Sequence, residues 1–171
     1  MPIFGPQNAQ CHVFTRKEGL LSAIAHDLEI DVTDFSIEVD VDSIRMQCNP
    51  NSLRVIHAIK DGQPLDALSA KDKQEIQGNI VEDVLEASKY SEISFVSSGV
   101  IRTPDGAQVT GMLSLHGVNK SIDVDVHTEG SAYLAEISLY QPDFGIKPYS
   151  AMLGTLKVRP DLVVRVTVPT W

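Results

Sequence analysis

The chain has 171 residues, so one domain is expected at the usual ~100–200 residues per domain, with enough length to bury a core without a metal or disulfide staple. Hydrophobic residues make up 43% and charged residues 22%, which excludes disorder for most of the chain. Acids number 23 against 14 lysines and arginines, and the net charge of −9 lacks the phosphate-neutralising surplus of a nucleic-acid binder.

Residues 1–10 hold two prolines and several polar side chains and read as an irregular arm. They lack the basic and apolar regions of a secretory signal, so a cytoplasmic location is expected. No apolar run approaches the ~18 residues of a membrane-spanning helix, so an integral membrane protein is not expected. Clear period-two alternation begins at Asp27. Leu28, Ile30 and Val32 alternate with Asp27, Glu29 and Asp31. After a Thr33-Asp34 corner, Phe35, Ile37, Val39 and Val41 alternate with Ser36, Glu38, Asp40 and Asp42. Side chains of a strand alternate between faces, so one face here is apolar and the other anionic. Seven acids and no base lie between Asp27 and Asp42. They lack the D-x-[DN]-x-[DN]-G calcium loop and read as a solvated outer face.

Weaker strand patterns cover residues 53–59, 93–102, 108–116, 133–140 and 155–159. Clean alternation returns at Ile122, Val124 and Val126, and again at Leu162, Val164, Val166 and Val168. Pro104-Asp105-Gly106 and Gly117-Val118-Asn119-Lys120 supply turns. Between residues 69 and 88 the period becomes three and four: Ile76, Ile80 and Val84 form one row, with Val81 and Leu85 beside it. That pattern is an amphipathic helix. Ser69 and Asp72 have capping-box spacing, and acids at Asp72 and Glu75 suit the helix N-terminus. Gly78 within it marks a kink or a close approach to a sheet. A second, shorter turn is expected at residues 149–153. Eight or nine antiparallel strands with one long helix fit either a barrel or a sandwich.

No G-x-S-x-G, G-x-x-x-x-G-K-[ST], H-E-x-x-H or G-x-G-x-x-G motif occurs. His12, His26, His57, His116 and His127 show no ligand spacing, so neither a metal nor a cofactor is expected. Cys11 and Cys48 have no CxxC spacing and read as two reduced thiols in preference to a disulfide. His26 shares parity with Leu28 and Ile30. It reads as a rim histidine, and in the sharper reading as a contact to a ligand headgroup. His116, ending a strand beside Gly117, reads as a turn-stabilising residue. The inward side chains Phe35, Ile37, Phe95, Leu113, Leu115, Ile122 and Val124 are core by default.

The elements Tyr90-Ser91-Glu92-Ile93-Ser94-Phe95, Gly111-Met112-Leu113-Ser114-Leu115-His116-Gly117-Val118-Asn119-Lys120 and Asp143-Phe144-Gly145-Ile146 occur in this order. Together they resemble the YceI-like family, over roughly residues 13–168. Ser91 stands where that family has proline, and Tyr140-Gln141-Pro142 stands where it often has an arginine. The resemblance implies an eight-stranded antiparallel lipocalin-like barrel, mainly β, with one long α-helix packed against it as a single domain over residues 1–171. It also implies an amphiphilic or polyisoprenoid lipid held inside, and family members are often periplasmic.

On this reading the chain is a non-catalytic lipid carrier. Its expected ligand contacts are His26, Leu28, Phe35, Ile37, Phe95, Leu113, Leu115, His116, Ile122 and Phe144. Two alternatives stay open. One is an enzyme using His26 or His116 as general base on an isoprenoid or other small molecule. The other is a stress-response or interaction module using the acidic face. The expected partner is a long-chain apolar or isoprenoid ligand, with no nucleic acid, and a homodimer stays open.

Overall fold

The structure, a computed structural model, describes residues 1–18, 26–154 and 156–171. In chain order the strands begin with β1 (Ile3–Phe4), β2 (Gln10–Thr15), β3 (Lys17–Glu18), β4 (Asp27–Val32) and β5 (Phe35–Val39). Next come β6 (Ile44–Cys48), β7 (Leu53–Lys60) and β8 (Gln63–Leu65), followed by helix α1 (Ala70–Gly78). The remaining strands are β9 (Ile93–Thr103), β10 (Gly106–Leu115), β11 (Val118–Glu129), β12 (Ala132–Tyr140), β13 (Ser150–Ala151), β14 (Leu156–Val158) and β15 (Asp161–Pro169). The expected strand at 155–159 is thus β14; Thr155 lies outside the described residues.

Among the described residues twelve strands form one antiparallel sheet, ordered β1-β5-β6-β9-β10-β11-β12-β15-β2-β4-β7-β8. A small separate sheet has the order β13-β14-β3. The large sheet curls because two long stretches are bent. β4 and β5 are one stretch bent at Thr33-Asp34, and β6 and β7 are one stretch bent at the 3-10 turn Pro50–Ser52. The stretches pair on both sides of the bend, from Asp27↔Ile59 to Val32↔Leu53 and from Phe35↔Cys48 to Val39↔Ile44. Ser52 fastens the corner. Its hydroxyl accepts from the Asp34 N–H at 3.1 Å, and its carbonyl accepts from Thr33 N–H at 3.0 Å and Thr33 Oγ1 at 2.8 Å. β4 lies near one end of the sheet order and β5 near the other. The bend therefore brings the two ends together around an interior.

The expected count of eight strands is corrected to twelve in this sheet. The bends split two stretches into four strands, and β1 and β8 are edges too short for alternation to announce. With each bent stretch taken once and those two edges set aside, eight long segments make the wall. Residues 1–10 are also less irregular than expected: Ile3 and Phe4 pair with Glu38 and Ile37, and Phe4 is buried. Val41 does not continue the inward row, because the chain turns after Val39 and leaves it exposed.

Alternation on β4 and β5 buries Leu28, Ile30, Val32, Phe35, Ile37 and Val39. The acids between them face outward but are partly partnered. Glu29 takes His12 Nδ1 at 3.0 Å and His57 Nε2 at 2.6 Å, from the two flanking strands. The β10–β11 turn is shorter than the sequence suggests. His116 and Gly117 alone make it, at φ 54° and 73°, while Val118–Lys120 already pair with β10. Positive φ at both positions matches the twist of a two-residue hairpin.

The expected helix forms, and its start is capped as the spacing implies. Ser69 Oγ accepts from the Asp72 N–H at 3.1 Å, and Asp72 Oδ2 accepts from the Ser69 N–H at 2.9 Å. After Gly78 the helix widens into a π-helical turn, Asn79–Val84. A Cβ at Gly78 would meet nothing within 4 Å, so this glycine marks the change of helix type and not a close approach. Gln77 ties the helix to the sheet: its Oε1 accepts from the Val55 N–H at 2.9 Å. That N–H sits where the β4–β7 ladder shifts register between Glu29 and Ile30. Residues 149–153 hold β13 and the start of a 3-10 turn, Met152–Gly154, with Leu153 at φ 58°. No helix among the described residues is long and apolar enough to cross a membrane.

Candidate ligand-binding cavity

The curled sheet and the helix enclose a cavity of about 710 Å³. That is within the ~300–1,000 Å³ range of small-molecule sites. Its long wall is the inward row of β15, Leu162, Val164, Val166 and Val168, and the helix covers it with Ile76, Ile80, Val84 and Leu85.

Eight of the ten expected contact residues line this cavity: His26, Leu28, Ile37, Phe95, Leu113, Leu115, Ile122 and Phe144. The other two do not. Phe35 keeps the inward parity of Ile37 but is buried in the core directly after the Thr33-Asp34 corner, off the cavity lining. His116 belongs to the turn. Its Nδ1 lies 3.1 Å from the Phe144 carbonyl and its Nε2 2.7 Å from Glu86 Oε2, while its ring packs 4.3 Å from that of Tyr90. The ring thus joins the β10–β11 turn to the segment after the helix and to the Asp143-Phe144-Gly145 segment. The Phe95 ring lies over Gly111, where any Cβ would overlap it. Glycine there lets the ring lie across the wall.

The two ends of the cavity differ. At one end Thr15, Lys17, His26, Asn79, Gln141, Tyr149 and Lys157 line it. Hydrogen bonds show that most of these are neighbours. Asn79 Nδ2 donates to the Tyr149 hydroxyl at 3.3 Å, and the Tyr149 carbonyl accepts from the Val158 N–H at 2.9 Å. Gln141 Nε2 donates to the Arg159 carbonyl at 3.1 Å, and Lys17 pairs with Val158 across β3–β14. At the other end lie Tyr133, Val168 and Trp171, with Arg102 and the β9–β10 turn. Among the described residues, Lys17, His26, Arg102 and Lys157 are the charged or titratable nitrogen side chains of the lining, and no aspartate or glutamate is part of it.

Cys11 and Cys48 also line the cavity as free thiols. A hydrogen bond with Cys48, and then burial, push the Cys11 thiol far above its ordinary range. It is held as a neutral, weakly nucleophilic group.

Sequence reasoning missed the aromatic end, the polar pair Asn79 and Tyr149, and the cysteines. Tyr133 shares parity with Ala135 and Ile137, so its direction was available from alternation. Trp171 follows the last strand and Tyr149 sits in a loop, so neither carries a periodic signal.

Comparison with known proteins agrees with this architecture. BcnA of Burkholderia cenocepacia superposes with a TM-score of 0.62 at 15% identity, covering 94% of each chain. A polyisoprenoid-binding domain from Saccharophagus degradans gives 0.53 at 13% identity, covering 98% of this chain and 97% of that one. The YceI protein of Campylobacter jejuni gives 0.55 at 15% identity, covering 84% and 85%. At these identities the likeness is one of fold. A UPF0312 protein of Vibrio parahaemolyticus is 34% identical over 77 residues, which is 44% of this chain and 39% of that relative's length. The sequence profile of the YceI-like domain matches residues 8–169, and over that span the chain belongs to the YceI-like family.

Proposed function

We propose that this protein binds one amphiphilic lipid of the polyisoprenoid type, with the tail inside the cavity and the polar head at the Lys17–Tyr149 end. The observation that carries this reading is the apolar cavity of about 710 Å³ with its polar groups gathered mainly at one end. Each buried methylene contributes ~0.8 kcal/mol, so a dozen give a gross gain of ~10 kcal/mol. Ordering a flexible tail offsets much of it, which leaves binding in the micromolar range or tighter. The lining favours a neutral or anionic head over a cationic one, because among the described residues it holds lysines, an arginine and a histidine and no carboxylate. The polyisoprenoid-binding name of the Saccharophagus domain supports the ligand class.

A carrier is favoured over an enzyme. A general base needs an orienting partner, and among the described residues no carboxylate joins His26 on the cavity lining. His116 has a carboxylate partner in Glu86, but it stands off the cavity and is committed to the turn. Native mass spectrometry with lipid extraction, followed by displacement of a fluorescent apolar probe by farnesol, tests the reading. Co-purified prenyl lipid or farnesol uptake is expected. A protein that carries no lipid and takes up no prenyl alcohol overturns it.

A further inference from the structure

We propose that Trp171, braced by Tyr133 and Phe4, forms the floor of the cavity and sets the longest tail it accepts. This rests on the isoprenoid-binding reading above and adds what limits the ligand. The indole borders the cavity on one side while 59% of the residue faces solvent. It is therefore the partition between interior and water at that end. Its ring lies 5.3 Å from that of Phe4 and 5.1 Å from that of Tyr133. Phe4 is itself buried and held by the β1–β5 ladder. The backbone before the indole is pinned too. Thr170 donates from its N–H at 3.0 Å and from its hydroxyl at 3.2 Å to the Ser131 carbonyl in the β11–β12 turn. Arg102, the charged group at this end, is turned to other work: its Nη2 donates to the Val41 carbonyl at 3.0 Å.

The inward row of β15 runs from Leu162 near the polar end to Val168 beside the indole. At ~3.3 Å per residue that row is ~20 Å long. A head held by the polar groups therefore sends its tail along β15 to Trp171. A longer tail must pull its head from the polar end or push the indole aside. Where Trp171 is removed, the extra length stays buried, and burying as few as two further methylenes is worth about tenfold in affinity.

The experiment is a titration with geraniol, farnesol, geranylgeraniol and solanesol. Trp171 is the single tryptophan of the chain, so its emission reports on the floor in the unmodified protein. Affinity is expected to rise along the series to a limiting length. Indole emission should change once that length is reached and stay constant with geraniol. Trp171→Ala should raise the limit by at least one isoprene unit and tighten the first alcohol beyond it about tenfold. The gain should be larger for the long alcohols than for geraniol, and Trp171→Phe should keep the original limit. An unaltered limit in a folded Trp171→Ala protein overturns the proposal. Should that variant fail to fold, an indole emission indifferent to chain length in the unmodified protein overturns it equally. Uptake of no alcohol at any length overturns the binding reading itself, and this inference with it.

Discussion

At position 116 a histidine holds a left-handed backbone conformation, φ 54°, that β-carbon sterics make uncommon outside glycine. The surroundings compensate. Both ring nitrogens meet acceptors, and the side chain is nearly buried. Hydrogen bonds involving a charged group are worth about 1.5–3 kcal/mol, so His116→Ala should lower stability by about that much. Isoprenoid affinity should be unchanged, because the ring is off the cavity. Denaturant unfolding and probe displacement, done on the same sample, separate the two effects. A variant with normal stability and lost uptake would place His116 in the site after all. Gly117, at φ 73°, is under a second constraint. A Cβ there would lie 2.6 Å from Tyr90 Cε1. Gly117→Ala combines a left-handed penalty of about 1–2 kcal/mol with that overlap, and should destabilise at least as much as His116→Ala. The sequence marked His116 correctly as a turn residue, since it stands beside a glycine after an alternating run. Its three partners are 28, 30 and 26 positions away along the chain, as Phe144, Glu86 and Tyr90, and no local pattern announces such distances.

The helix was legible for a local reason: its cap and its apolar rows are both short-range patterns. Ser69→Ala removes the cap and should cost about 1 kcal/mol. Asp72 adds a pH dependence whose direction is fixed. Hydrogen bonds from the Ser69 backbone and hydroxyl hold its carboxyl below the ordinary carboxylate value. Its contribution is complete above that ordinary value and is lost as pH falls through the depressed folded value. The protection of the first-turn amides, taken against the intrinsic exchange rate at each pH, should therefore fall only at the acid end, and Asp72→Ala should abolish the change. The π-helical turn was not legible, because it depends on what lies beneath the helix. Leu85 N–H bonds to the Ile80 carbonyl at 2.9 Å, one residue beyond helical spacing. Val84 and Leu85, at the end of this wider turn, both line the cavity. Gln77 is the second anchor. Gln77→Ala strands the Val55 N–H and should cost about 1–3 kcal/mol, with exchange accelerating at Val55 and along the helix together. Acceleration at Val55 alone would mean that the helix is held by its apolar face.

The curled architecture follows from alternation in which an apolar face needs burial on every long segment. Alternation does not say whether the enclosed space is filled. Phe95, Leu113 and Ile122 read equally well as a solid core or as a cavity wall, because the difference is a matter of a few ångströms in how far apart the walls stand. The bends at Thr33-Asp34 and Pro50–Ser52 were only half visible. The first follows a break in a clean run, but its pairing partner lies in a segment with weak periodicity. Hollowness has a test that needs no ligand. Val109 is buried at 3% exposure and borders the cavity. In a filled core Val109→Trp would overpack and cost about 1–3 kcal/mol or more. In a hollow interior the indole takes up cavity volume instead, so the ligand-free protein should keep its Tm or gain. Ligand then separates the two proteins further. Farnesol at 100 times its Kd should stabilise the unmodified protein by about 2.7 kcal/mol. At roughly 2–4 °C per kcal/mol for a chain of this size, Tm should rise by about 5–11 °C. Val109→Trp should show little or none of that rise, since the indole takes the volume the tail would fill. A ligand-free Tm that drops sharply in Val109→Trp would instead mean that the walls stand too close for any tail. A full farnesol shift in the variant would place the tail elsewhere on the protein.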